Sequence, residues 1–386
     1  MAQCINTRPP NKTKERTDSD MKNLLIIFLL LSGLLFGCSG DLSPSSVEDV
    51  ALVSLLGVDY VDENKMKLTL AVPQSASSSE EPNQVYSTVS GMVKEGIVDL
   101  SAQAEREIKL NGLRVVLFNE EFARSGRMRE VVEHLYRNPV IGGNVYVVVV
   151  KESAEELLSG KYPSKSGIVT YLNALLKPKP HNMFSPFTTI HDFMYTQTNP
   201  VLETMTPYIE KKEDVVEITG VTVFKEKKMT DLYDRKQGQL IQLLKDVERM
   251  PAATIQLNED RHSEQVVIDF VKNKVDYKSN GNIHQPSLSI ILYLKGTIYE
   301  YKGTKNLSRS RDFSELENEI QDYFKKEVSA LIEELKQNET DPIGFSENFR
   351  MHYKGEWTQE LTDQVFSDLS VTVSMEMHIL ATGTLR

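Results

Sequence analysis

At 386 residues, with 55 acidic against 44 basic side chains and a formal net charge of −11, the chain is too acidic to hold nucleic acid or an anionic membrane surface through a broad basic face. It contains two cysteines, Cys4 and Cys38, and Cys4 lies ahead of the expected mature chain, so no disulfide is expected and apolar cores must supply the stability. The length suggests two or three domains.

The first patterned stretch is LLIIFLLLSGLLFGCSG, residues 24–40, which carries no charge and ends in a cysteine and small polar residues. Its strongly apolar part stops by Gly37, short of the roughly 20 residues that a bilayer crossing needs. Met21-Lys22-Asn23 precedes it, as the charged region of an export signal does, which makes Met21 an alternative start to Met1. Leu35-Phe36-Gly37-Cys38 resembles the bacterial lipobox, in which the cysteine receives a diacylglyceryl group before cleavage, although Phe36 is bulkier than the usual residue. We therefore expect residues 1–37 to be a leader and lipoprotein signal peptide, Cys38 to be the lipid attachment site and residues 38–49 to be a tether. Two acyl chains on one residue are the smallest anchor expected to hold a folded domain at a bilayer.

Order is expected from Val50. The segment VALVSLLGVDYVDENKMKLTLAVP reads as two strands about the polar turn Asp62-Glu63-Asn64. Asp59, Asp62, Glu63 and Asn64 lack the spacing and closing glutamate of a calcium loop, so the turn reading is the simpler one. Residues 75–84 are a loop by composition, and strands then alternate with helices: QVYSTVSG, a helical stretch at 94–110, GLRVVLFN, a helical stretch at 120–137, NVYVVVVK and a short helix. A strand apolar on both faces, as NVYVVVVK is, belongs at the centre of a sheet covered by helices. The first domain is placed at 50–200, with the proline-rich stretch 177–187 irregular.

A second domain is placed at 201–282: strands around the charged turn KEKK, a helix at 237–248 with Leu240, Leu243, Leu244 and Val247 on one face, and a further strand region ending at the turn Asn280-Gly281-Asn282. The third, at 283–386, holds a long amphipathic helix with an apolar stripe at Leu316, Ile320, Phe324, Val328, Leu331 and Leu335, and Ser314 with Glu317 reads as its capping box. VTVSMEMHIL alternates strictly and reads as a half-exposed antiparallel strand against which that helix packs. The fold class expected is α+β: three distinct mixed α/β domains in series, each a largely antiparallel or mixed sheet packed with helices.

No catalytic constellation emerges. Phosphate-loop, Gly-x-Ser-x-Gly, His-Glu-x-x-His and Cys-x-x-Cys patterns are absent. His181 and His191 flank an irregular segment without a second ligand at helical spacing, and His378 falls on a polar strand face. The carboxylate pairs Glu120-Glu121 and Glu333-Glu334 read as solvated helix faces, and Trp357 as an apolar anchor. No cofactor and no metal are expected.

The lipobox, the segment with Leu56-Gly57-Val58-Asp59, LRVVLFNEEFARSG, GVTVFKEKKMTDL and the run EIQDYFKKEVSALIEELKQNETDPIGFSENFR with its later EWTQELT and LSVTVSMEMHIL occur in one order and spacing. In this the chain resembles the Ger(x)C family, the lipoprotein C subunits of spore nutrient germinant receptors. Many members carry a tryptophan after the lipid-modified cysteine, where this chain has Ser39. The resemblance implies three mixed α/β domains, no enzymatic activity, two integral membrane subunits (A and B type) as partners, and a place on the outer face of the spore inner membrane. The alternatives are a solute-binding lipoprotein, which should show a deep pocket with convergent polar groups, and an exported cell-wall hydrolase, which should show paired carboxylates or a metal triad in a cleft.

Overall fold

The computed structural model describes residues 49–74, 83–163, 165–177, 188–247, 250–257 and 264–382. The signal segment with Cys38, most of the two expected loops at 75–84 and 177–187, and His181 lie outside the described residues.

Strand β1 (Val50–Leu52) leads into a hairpin of β2 (Leu55–Tyr60) and β3 (Met66–Pro73), as the alternation predicts. The Asp62 carboxylate closes the turn, accepting the backbone N–H groups of Asn64 and Lys65 at 2.8 Å each. After β4 (Asn83–Ser90), helix α1 (Val93–Ser101) buries Val93, Ile97 and Leu100. The helical stretch expected to reach residue 110 ends here, and the chain instead forms β5 (Glu107–Lys109), which pairs in parallel with β1. Strand β6 (Val115–Asn119) follows, and the helix expected at 120–137 is two helices, α2 (Glu120–Ser125) and α3 (Met128–Tyr136). Gly126 separates them at φ 87°, a left-handed conformation that glycine adopts without a Cβ clash.

Strand β7 (Tyr146–Val150), α4 (Ala154–Leu158), α5 (Ile168–Leu176) and α6 (Ile190–Thr198) come next. Strand β8 (Thr204–Lys212) is followed by the hairpin of β9 (Val215–Lys225) and β10 (Lys228–Asp234) at the KEKK turn. Helix α7 (Arg235–Leu244) is shorter than expected, and Val247, placed on its buried face by spacing, lies beyond its end and is exposed.

One eight-stranded sheet runs β10-β9-β8-β7-β6-β2-β3-β4. Its centre, β8-β7-β6-β2, is parallel and its flanks are antiparallel hairpins. Both faces are covered: Val147 and Val149 of β7 join one apolar core and Val148 and Val150 the other, which explains a strand with no polar face.

The remaining strands are β11 (Ala253–Gln256), β12 (Gln265–Ser279), β13 (Ser287–Lys302) and, after α8 (Ser310–Gln337), α9 (Glu347–Arg350) and α10 (Gln359–Asp368), β14 (Ser370–Thr382). They form a sheet in the order β11-β12-β13-β14. All six stripe residues of α8 are buried, in the same apolar core as the inward residues of this sheet. Two expectations change here. Strand β14 pairs with β13 in parallel, because the intervening helices carry the chain back to the same end before it re-enters the sheet. Helix α8 begins at Ser310, so Ser314 sits inside it and no capping box forms. Glu317 is used differently: its Oε1 accepts from the Ile379 N–H at 2.8 Å while Gln321 Oε1 accepts from Met377 at 3.2 Å, covering part of the open edge of β14.

The fold is thus α+β with mixed sheets packed by helices. Strand pairing crosses both expected domain junctions: β7 pairs with β8 across 200/201, and β12 with β13 across 282/283. The change from one large sheet to the other falls between Asp234 and Ala253.

Candidate functional site: the junction between the two large sheets

Two of the quoted segments meet at the carboxyl ends of the parallel strands. Gly57 leaves room for α4, since a Cβ there would lie 3.0 Å from both Ala154 Cβ and Leu158 Cδ1. Two residues on, the buried Asp59 carboxylate holds the start of α4, accepting from Ala154 N at 2.6 Å, Glu155 N at 3.0 Å and Ser153 Oγ at 3.1 Å. Burial pushes its pKa up against those three bonds. Asn119 Oδ1 accepts from both Tyr60 N and Phe122 N at 3.0 Å, so one side chain caps α2 and fixes the end of β2. Glu120 accepts hydrogen bonds from Tyr208 and Arg124; burial pushes its pKa up, but these partners bring it below the usual carboxylate range. It is a structural acid.

The denser polar network lies where the loop after α8 reaches the eight-stranded sheet. Asp341 is fully buried and folds that loop around itself, accepting from Gly344 N at 2.8 Å and Ser346 N at 3.2 Å. Gly344 takes φ 83°, a left-handed conformation that favours glycine, and a Cβ on it would lie 2.8 Å from Leu202 Cδ2, which would have to shift. From the sheet side, Lys225 Nζ donates to the Glu339 carbonyl at 2.8 Å, and Tyr233 Oη lies 2.9 Å from Thr340 Oγ1. Thr362 on α10 joins the same seam: its hydroxyl donates to the Pro200 carbonyl at 2.6 Å and accepts from Trp357 Nε1 at 2.7 Å.

Glu203 enters this seam immediately before β8. The residue as a whole is half-buried, but its Oε2 is shut away from solvent with no hydrogen-bond partner among the described residues. Burial, and then the charge of Asp341, pushes its pKa up to about 8. Asp341 is also pushed up by burial, with its backbone donors and Lys245 acting the other way. Lys245 Nζ donates to the Pro342 carbonyl at 3.0 Å, and burial of that ammonium lowers its pKa. The seam therefore sets Glu203, its pKa pushed up to about 8, beside an Asp341 carboxyl wrapped in N–H donors. This arrangement joins two sheets; it presents no nucleophile and base.

The residues weighed from the sequence that the structure describes are not brought together. His191 is exposed, with Tyr136 Oη 3.4 Å from its Nδ1, His378 is exposed on β14, and Glu334 accepts from Gln237 Nε2 at 2.7 Å. Among the described residues no group of three or more His, Cys, Asp or Glu side chains converges as metal ligands, and no helix is long and apolar enough to cross a membrane. An apolar cavity of about 300 Å³ lies between α7, α8 and β11, walled by Leu240, Leu243, Phe270 and Phe324. The charged groups at its rim, Lys236 and Glu327, pair with each other at 2.8 Å. Sequence reasoning missed Glu203, Lys225 and Thr362 altogether. The available signal was a turn-forming Asp341-Pro342 with Gly344 directly after a long helix.

Comparison with known proteins bears on the whole chain. Residues 44–211 match the family described as "Spore germination protein N-terminal domain", and residues 219–383 match "Spore germination B3/ GerAC like, C-terminal". The chain belongs to this family of spore germination proteins. It is 28% identical over 358 residues to the spore germination protein GerQC of Bacillus cereus, covering 93% of this chain and 98% of that one. It is 22% identical over 408 residues to the spore germination protein KC of Bacillus subtilis (strain 168), covering 94% and 96%. The crystal structure of the GerBC protein superimposes with a TM-score of 0.54 at 16% identity, over 84% of this chain and 96% of that one, which shows a shared fold. The seam built on Asp341 lies within the second family match, and Glu203 within the first.

Proposed function

We propose that this chain is a non-catalytic, lipid-anchored subunit of a spore germinant receptor complex, required for nutrient-triggered germination through contact with two integral membrane subunits. The observation that carries the reading is the pair of family matches, which together run from residue 44 to residue 383 and embrace both large sheets and the seam between them. Cys38 stands six residues ahead of the first match, where a diacylglyceryl group would tether the folded part to the outer face of the spore inner membrane. The anchor acts through effective concentration: tethering confines the domains beside their membrane partners at roughly millimolar levels, so weak contacts suffice to keep the complex assembled. Three mixed α/β domains, as drawn from the sequence, remain our proposal for where proteolysis cuts, with the strand pairing across both junctions holding the pieces together after cleavage.

Cys38→Ala spores test the reading. The variant protein is expected to leave the membrane fraction or persist as an uncleaved precursor, and the spores to lose most nutrient response while still germinating when triggered without nutrients. A variant that stays in the membrane fraction at wild-type size and supports normal nutrient germination would overturn the anchor. A gene deletion that leaves every nutrient response intact would overturn the receptor role.

A further inference from the structure

The outward face of the C-terminal sheet carries a row of two lysines and a histidine. Strand register places Lys272 of β12 opposite Lys295 of β13, and Lys295 opposite His378 of β14, so three basic side chains form one line across three strands. All three are exposed, and none has an ion pair or hydrogen bond among the described residues. Directly opposed like charges destabilise a sheet, and a chain with a net charge of −11 has acidic side chains to spare for such positions. The next row is arranged differently: Lys274 pairs with Asp276 at 2.7 Å and stands 5.7 Å from the centre of the Tyr293 ring.

Two bulges sharpen the site. The irregularity between Phe270 and Lys272 leaves Val271 48% exposed beside the row, and the one opposite Gly296 and Thr297 leaves Leu380 57% exposed at its other end. A surface that sets unpaired cations between exposed aliphatic side chains fits a ligand carrying carboxylates beside apolar groups. Asp269 and Glu376 occupy the outward rows on either side, and Asp276 the row beyond Glu376. They would hold off an evenly anionic surface such as a bilayer, but not discrete carboxylates reaching between them.

We propose that this face docks an acidic, part-apolar helical segment of a partner protein, with its carboxylates on Lys272 and Lys295. Opposed side chains in a sheet stand about 4.5–5.5 Å apart at Cβ, close to the roughly 5–6 Å between carboxylate positions i and i+4 on a helix. The inference goes beyond the receptor reading and rests on sheet register alone, so its failure leaves the roles of Cys38 and of the nutrient response untouched.

The test uses the full chain and a fluorescein-labelled amphipathic helical peptide bearing Glu at i and i+4 beside Leu, with a Glu→Gln peptide as control, read by anisotropy. The Glu peptide should bind and the Gln peptide bind at least about tenfold more weakly, with Lys295→Glu losing about tenfold or more of the affinity for the Glu peptide. Lys295→Glu should also raise the melting temperature, because it replaces the repulsion from Lys272 with an attraction; a gain in stability separates lost docking from lost folding. Absence of binding, equal affinity for the two peptides, or unchanged affinity in Lys295→Glu would overturn the proposal. So would binding to phosphatidylglycerol vesicles that the same substitution abolishes, since the face would then be a membrane contact.

Discussion

Replacing Glu203 by glutamine should stabilise the protein, and only above a certain pH. In the unfolded chain a glutamate titrates near its ordinary value of 4.5, whereas burial beside Asp341 pushes Glu203 up to about 8. The group is therefore neutral in both states in acid. Between these two values the unfolded state loses its proton while the folded state must keep it, and the folded state is penalised progressively as pH rises, reaching the full penalty above about 8. A rise from 4.5 to about 8, at roughly 1.36 kcal/mol per pH unit, sets a ceiling near 5 kcal/mol. Because the residue is half-buried as a whole, and water and relaxation soften such penalties, about 2 kcal/mol is the realistic share. Glutamine mimics the protonated acid in shape and cannot ionise, so it should recover that amount. With an unfolding entropy of about 2.1 cal/mol/K per residue over the folded part, the gain corresponds to a melting point higher by roughly 3 °C at pH 8.5. It should shrink to nothing at pH 4.5. Scanning calorimetry of wild type and Glu203→Gln across that range measures both. A variant less stable than wild type at pH 8.5, or one equally stabilised at both pH values, would show that the effect is not linked to a raised pKa of Glu203 and would refute the reading of the seam.

Two further substitutions probe the supports of each large sheet. Asp59→Ala should cost about 2 kcal/mol in urea denaturation, because two backbone N–H groups and the Ser153 hydroxyl lose their acceptor, and Asp59→Asn should cost about half as much; an unchanged midpoint for the alanine variant would refute the role given to this carboxylate. Lys305→Ala should cost roughly 2–3 kcal/mol at neutral pH, since Lys305 Nζ bridges the buried Glu264 at 2.7 Å and Glu319 at 2.9 Å. Glu264 is pushed up by burial but held below its ordinary 4.5 by Lys305, so the stabilisation is present above 4.5 and lost as pH falls through the lower folded value. A penalty that stays constant in acid would show that it comes from packing of the lysine stem.

Element types were legible because they rest on local periodicity. The stripe of α8 and the alternation of β14 are visible in a short window of residues, and both bury the side chains that the pattern marks. Two helices deviated where a single backbone position decided the outcome: Gly126 turns left-handed and divides α2 from α3, and the stretch after Ser101 leaves its helix to pair with β1. Pairing itself was not legible. Alternation in β14 is the same whether its neighbour runs parallel or antiparallel, and nothing in NVYVVVVK says that its neighbour on one side is the strand beginning at Thr204, beyond α6. The same holds for the residues that matter most. His378 read correctly as a solvated histidine, yet its interest comes from standing in line with Lys295 and Lys272, and a one-residue slip in register would dissolve that row. Asp341-Pro342 with Gly344 drew no reading from the sequence, and although the aspartate is held by its own loop, the polar seam around it is completed by Glu203, Lys225 and Thr362 from other segments. An acid placed one residue before a strand looks like an ordinary solvated end, and only burial in the seam, with a second carboxyl arriving from after α8, pushes the pKa of Glu203 up.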